Sequence, residues 1–129
     1  MKWIPILMAL LLLSGCAAQA QKEQSNRQIN MDEAIAMMEA ENVYIILDVR
    51  TPEEFSEKHI PGAINIANET IGSEEIPELP DKDQLILVYC RSGNRSRQAS
   101  EKLVALGYTN IVEFGGINDW PGEVVSGAE

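Results

Sequence analysis

The chain has 129 residues, room for one domain with a modest core, and its 45% hydrophobic content with 5% aromatics suits a core built on aliphatic side chains. Twenty acidic residues against ten basic ones give a formal charge of −10 and a pI near 4.5. That balance excludes general nucleic-acid binding, which needs a basic face, and it repels anionic lipid surfaces.

The first segment reads MKWIPILMALLLLSGCAAQAQ. Lys2 gives a positive flank, and the apolar run from Ile4 to Leu13 is too short to span a bilayer, so the pattern is that of a secretory signal. It closes on Leu13-Ser14-Gly15-Cys16, which resembles a bacterial lipoprotein signal. The resemblance implies cleavage after Gly15 and a diacylglycerol on the Cys16 thiol, with further acylation giving a firm anchor. The alternative is an ordinary secretory signal with an incidental cysteine. On the lipoprotein reading residues 1–15 are the signal peptide, 16–28 a lipid-anchored flexible tether rich in Gln, Ala, Ser, Asn and Lys, and 29–126 the folded domain. Ala17 is not the aspartate of an inner-membrane retention signal. The expected location is therefore an exported, lipid-anchored protein, periplasm-facing in a double-membraned bacterium or on the outer cell surface in a single-membraned one.

The domain opens with INMDEAIAMMEAEN, where Asn30 and Glu33 have the spacing of a capping box and Ile35 and Met38 share a face with Met31 and Ala34. A helix is expected there. Val43–Val49 is β-branched and almost wholly apolar, as a strand covered on both faces should be. Thr51-Pro52-Glu53-Glu54 signals a second helix, cut short by HIPGA. Ala63–Ile66 reads as a brief strand, and residues 68–83, polar and broken by prolines, as a loop with at most one helical turn. LILVYC is a second buried strand. The segment SRQASEKLVALG is an amphipathic helix with Ala99, Leu103, Val104 and Leu106 inward and Gly107 at its C-terminal cap. NIVEF is a last strand, and GGINDWPG a tight turn. Strands alternating with helices imply an α/β domain, three layers deep, with a central mainly parallel sheet flanked by helices.

In such a sheet reactive groups gather at the carboxyl ends of strands. Cys90 sits at one of them, and a helix is expected to begin about six residues later. If Cys16 carries lipid, Cys90 has no partner for an internal disulfide, and a single free thiol exported to an oxidising compartment calls for a reason. The loop after it, Arg91-Ser92-Gly93-Asn94-Arg95-Ser96, holds residues tolerant of unusual backbone angles. It can turn several N–H groups inward as an anion cup at the start of a helix. A thiol of pKa about 8.5 must shift by about two units, or about 2.7 kcal/mol, to be mostly thiolate at neutral pH. The helix dipole supplies roughly 0.3–1 kcal/mol, too little. Several charge-assisted N–H bonds of about 1.5–3 kcal/mol each suffice, with Arg91 and Arg95 adding to them and drawing in an anion. Arg97 is expected to project from the first turn of the helix.

Four segments in order resemble a single-domain rhodanese, the family of thiosulfate and related sulfurtransferases, over residues 30–123. They are LDVRTPEEF (Leu47–Phe55), HIPGAINI (His59–Ile66), YCRSGNRS (Tyr89–Ser96) and GGINDWPG (Gly115–Gly122). The resemblance implies that Cys90 is the nucleophile and carries a persulfide after attacking a donor such as thiosulfate, which a cyanide or thiol acceptor then unloads. It implies that the backbone of Arg91, Ser92, Gly93, Asn94, Arg95 and Ser96 cradles that sulfur, with the Arg91 and Arg95 side chains on the anionic donor. Asp48 and Arg50 are expected to brace the loop, His59 to be structural, Gly115-Gly116 to form a backbone turn, and Trp120 to be a core or lid residue. No metal and no organic cofactor is expected.

Related phosphatases and arsenate reductases use C-x-x-x-x-x-R, whereas Cys90 to Arg95 is one residue shorter and Ser96 stands at the longer spacing. The rival functions are a sulfur carrier or redox module that hands persulfide sulfur to a protein partner, and a binding domain without chemistry. The presence of Cys90 in an arginine-flanked loop weighs against the last. The expected partners are a small anionic sulfur donor, a thiol or cyanide acceptor and, through the lipid, a membrane; monomer is the default.

Overall fold

The computed structural model describes residues 26–127. The expected signal peptide, Cys16 and most of the expected tether lie outside the described residues. Strands β1 (Arg27–Gln28), β2 (Ile45–Asp48), β3 (Ile64–Asn65), β4 (Ile86–Cys90) and β5 (Ile111–Gly116) form one sheet in the order β1-β5-β4-β2-β3. Every neighbouring pair is parallel, the arrangement that crossover helices produce. The helices are α1 (Met31–Ala40), α2 (Pro52–Glu57) and α3 (Asn94–Ala105).

Strand β4 lies at the centre and is buried throughout. Its two-residue period divides the core. Ile86, Val88 and Cys90 face Ala99 and Leu103 of α3, together with Leu47, Val49 and Ile111. Leu85, Leu87 and Tyr89 face Ala34 of α1 and Ile60 and Ala63, with Phe55 of α2 packed at the margin. The result is the expected α/β sandwich of helix, sheet and helix.

Both expected capping boxes form. Asn30 Oδ1 accepts from the Glu33 amide at 2.8 Å, and Thr51 Oγ1 from the Glu54 amide at 3.2 Å. Each satisfies amides that have no partner inside the helix. Gly107, at φ +99°, ends α3 as expected, with its amide on Val104 O and the Tyr108 amide on Leu103 O.

Three boundaries differ from the sequence reading. The sheet begins within the stretch expected as tether, because Arg27 and Gln28 pair with Val112 and Glu113. Strand β2 starts at Ile45, since its pairing begins where the Ile45 amide meets Leu85 O at 3.0 Å, which leaves Val43 70% exposed. On α1 the side chains packed on the core are Met31, Ala34, Met37 and Met38, with Ile35 only half-buried outside that cluster.

Candidate active site

The end of β2 is tied to the segment after α2 by a buried ion pair. Arg50 Nε lies 3.1 Å from both Asp48 carboxylate oxygens, and Arg50 Nη2 lies 2.7 Å from Asp48 Oδ2 and 2.6 Å from Lys58 O. The Tyr89 hydroxyl accepts the Ile60 amide at 3.1 Å. His59 is fully buried, stacked on Phe55 with ring centres 3.7 Å apart, and its Nδ1 lies 2.8 Å from Phe55 O. These residues hold β2, β4 and the HIPGA segment in one frame.

Cys90 ends β4 at 1% exposure. Although it belongs to the aliphatic cluster on the α3 face, the following loop folds back over its sulfur. Gly93, at φ +113°, is the left-handed residue that makes this turn, and its amide donates to Cys90 Sγ at 3.0 Å. The helix begins at Asn94, sooner than the sequence suggested, because Gly93 starts the turn: the Arg97 amide already bonds Gly93 O at 3.2 Å. Asn94, Arg95 and Ser96 are thus the first turn of α3, and its positive end is aimed at the sulfur.

The thiol donates to Ser96 Oγ at 3.4 Å. Burial pushes Cys90 up, but its hydrogen bond with the Ser96 side chain and those from the Ser96, Gly93 and Ser92 amides outweigh it, and the thiol falls below its ordinary pKa. The arginines contribute less to this than the sequence suggested. Arg95 attracts the sulfur charge, but its strongest interaction is with Glu54. Arg95 Nη1 and Nη2 lie 2.6 and 3.0 Å from the two Glu54 oxygens, and Arg91 Nε lies 3.4 Å from Glu54 Oε2. The Arg95 guanidinium holds Glu54 at about 2, far below the usual carboxylate range. Arg91 is the more available cation, with 58% of its side chain exposed, and Arg97 projects outward as expected.

Among the described residues no group of three or more His, Cys, Asp or Glu side chains could hold a metal ion. A recess of about 460 Å³ beside residues 66–78 holds no thiol and is lined by Glu74, Glu75 and Glu78, which disfavour an anionic ligand. The buried sulfur ringed by donors is therefore the candidate reactive centre.

A family model for a rhodanese-like domain matches residues 30–123. The chain belongs to the rhodanese family. It is 40% identical over 73 residues to the thiosulfate sulfurtransferase PspE of Escherichia coli, covering 57% of this chain and 70% of that one. The solved structure of a rhodanese with anions from E. coli is 37% identical at a TM-score of 0.60, with 65% of this chain and 99% of that one covered. The adenylyltransferase and sulfurtransferase UBA4 of Candida albicans is 40% identical over 90 residues, 64% of this chain, but the match spans only 20% of that protein.

Three residues of this rhodanese site escaped the sequence reading. Glu54 reads in the sequence as a helix cap, yet the same carboxylate clamps Arg95. Gly116, expected in a turn, is extended, ends β5, and pairs with Cys90. A Cβ there would overlap the Arg91 carbonyl and the Ser92 amide, so its lack of a side chain is what lets the loop close against the sheet. Glu113, 4% exposed, sits on the α3 face of β5 and takes the Ser96 hydroxyl at 2.6 Å. Its signal was a carboxylate where strand alternation calls for an apolar side chain. Trp120 packs at the edge of the core and donates from Nε1 to Glu123 O at 2.9 Å.

Proposed function

We propose that this chain is a sulfurtransferase working through a Cys90 persulfide. The Cys90 thiolate attacks the outer sulfur of thiosulfate or a similar donor; a new S–S bond forms, the donor S–S bond breaks, and sulfite leaves with the electron pair. Cyanide or a thiolate then attacks the outer persulfide sulfur and carries it off, returning the Cys90 thiolate. The backbone from Arg91 to Ser96 holds the persulfide, and the Arg91 and Arg95 guanidinia meet the anionic part of the donor. The single observation that carries this reading is the Gly93 amide 3.0 Å from Cys90 Sγ, inside a loop one residue shorter than the C-x-x-x-x-x-R of the related phosphatases. Relatives named thiosulfate sulfurtransferase support it.

Incubation with thiosulfate should add one sulfur atom to the intact mass, and cyanide should remove it as thiocyanate. An unchanged mass, or equal thiocyanate from Cys90→Ser, overturns the assignment. A second reading, a carrier that delivers persulfide sulfur to another protein with little turnover of thiosulfate, gains support from Glu54. Its carboxylate already occupies Arg95, one of the two arginines that a small dianion would need. A persulfide that forms readily but transfers slowly to cyanide favours the carrier.

The N-terminal lipid on Cys16 is part of the same proposal. Ten residues lie between Cys16 and Arg27 and would reach at most about 35 Å, holding an exported domain close to its membrane. Release of the protein from membranes by Cys16→Ala is the expected result; retention would refute the anchor.

A further inference from the structure

Glu113 is a buried carboxylate that forms no ion pair among the described residues. Burying a charge without a cation is costly, so a glutamate on the core face of β5 invites a chemical reason. Its Oε1 accepts the Gly115 amide at 2.9 Å and the Ser96 hydroxyl at 2.6 Å, and Ser96 Oγ in turn lies 3.4 Å from Cys90 Sγ. The Gly93 and Gly115 carbonyls also approach that hydroxyl, at 3.0 and 3.3 Å.

A serine hydroxyl has one proton to donate. A separation of 2.6 Å is that of a hydroxyl donating to a carboxylate, the strongest acceptor of the set. With its proton on Glu113, Ser96 offers the sulfur a lone pair, which suits a thiol and opposes a thiolate. Ionised Cys90 needs the hydroxyl turned the other way. We propose that Glu113 is a positioning residue that governs the ionisation of Cys90 by competing with its sulfur for the single Ser96 proton. This rests on Cys90 being the nucleophile. Once Cys90 carries a persulfide the charge moves to the outer sulfur, Sγ no longer needs that proton, and Ser96 returns it to Glu113. The contest therefore penalises the empty thiolate relative to the loaded form and favours retention of sulfur.

The other charges around Cys90 do not duplicate this role. Arg91 in the loop and Arg95 on α3 are joined to Glu54 of α2, and Asp48 and Arg50 at the end of β2 neutralise each other. On β5 the facing charge is Glu113.

The test is the pH dependence of Cys90 alkylation by iodoacetamide in the full chain, read at the Cys90 peptide by mass so that Cys16 does not contribute. It measures the thiol and not sulfur transfer, so it stands or falls separately from the persulfide reading. Glu113→Gln, which retains an acceptor for the Gly115 amide, should move the midpoint to lower pH by about one unit, a roughly tenfold increase in ionisation. Glu113→Met should move it the same way, and Ser96→Ala should move it upward. In the Ser96→Ala background Glu113→Gln should have a smaller effect, because the shared hydroxyl is gone. A midpoint unchanged or raised in both Glu113 variants, or an equal shift with and without Ser96, overturns the proposal.

Discussion

Glu54 and Arg95 meet as a fork on a fork: two parallel hydrogen bonds of 2.6 and 3.0 Å join a helix on one side of the site to the nucleophile loop on the other. The guanidinium proposed to meet the anionic donor is thus already paired with a carboxylate. A dianion must compete with a carboxylate for it, whereas a donor with little charge need not. Glu54→Gln keeps the helix cap, since glutamine serves in a capping box. It should raise kcat/KM for thiosulfate by about three- to tenfold, or about 1 kcal/mol, and leave a monoanionic thiosulfonate donor less affected. Steady-state assays with both donors check this; an equal change for the two contradicts it.

The same pair should appear in acid stability. The Glu54 carboxyl has a folded-state pKa of about 2, below an unfolded value of about 4.3, so it binds more protons when unfolded. Its contribution is fully present above the unfolded value and is lost as pH falls through the folded one. Between pH 5 and 2 the native chain should lose on the order of 1–2 kcal/mol more than Glu54→Gln, after discounting for a partly solvated pair. Urea denaturation at the two pH values measures the difference, and parallel losses would refute it.

Gly116 supports the loop from beneath. A methyl group there meets backbone, which has no flexible end to swing aside. Gly116→Ala should displace Arg91 and Ser92, cost about 1–3 kcal/mol, and slow Cys90 alkylation at pH 7 as the amides leave the sulfur. Thermal melting and alkylation together check it; native alkylation kinetics would count against this account.

Asp48 and Arg50 form a buried pair, both at 2% exposure or less. Removing one partner leaves the other charge stranded, so Arg50→Met should cost about 3–5 kcal/mol in denaturant unfolding. Removing both charges, as Asp48→Leu with Arg50→Met, should recover part of that loss. If the double variant is no better than the single one, the pair is not acting as a unit.

The sequence by itself determined the order of strands and helices from α1 onward, both capping boxes, the glycine that ends α3, and the cysteine at a strand end before a short polar loop; β1 was not among them. All are set by neighbours within a few residues, through hydrogen-bond spacing, backbone preference and the period of apolar side chains. The tertiary structure alone decided where β2 begins, because pairing with β4 rather than local propensity defines the first bonded residue. It also decided which groups surround the sulfur. Glu54 reaches Arg95 across 41 positions and Glu113 reaches Ser96 across 17, and the Gly116 contact exists only once β5 lies beside β4. Such contacts leave little local trace, since a glutamate that caps a helix and one that clamps an arginine are the same letter until the chain has folded.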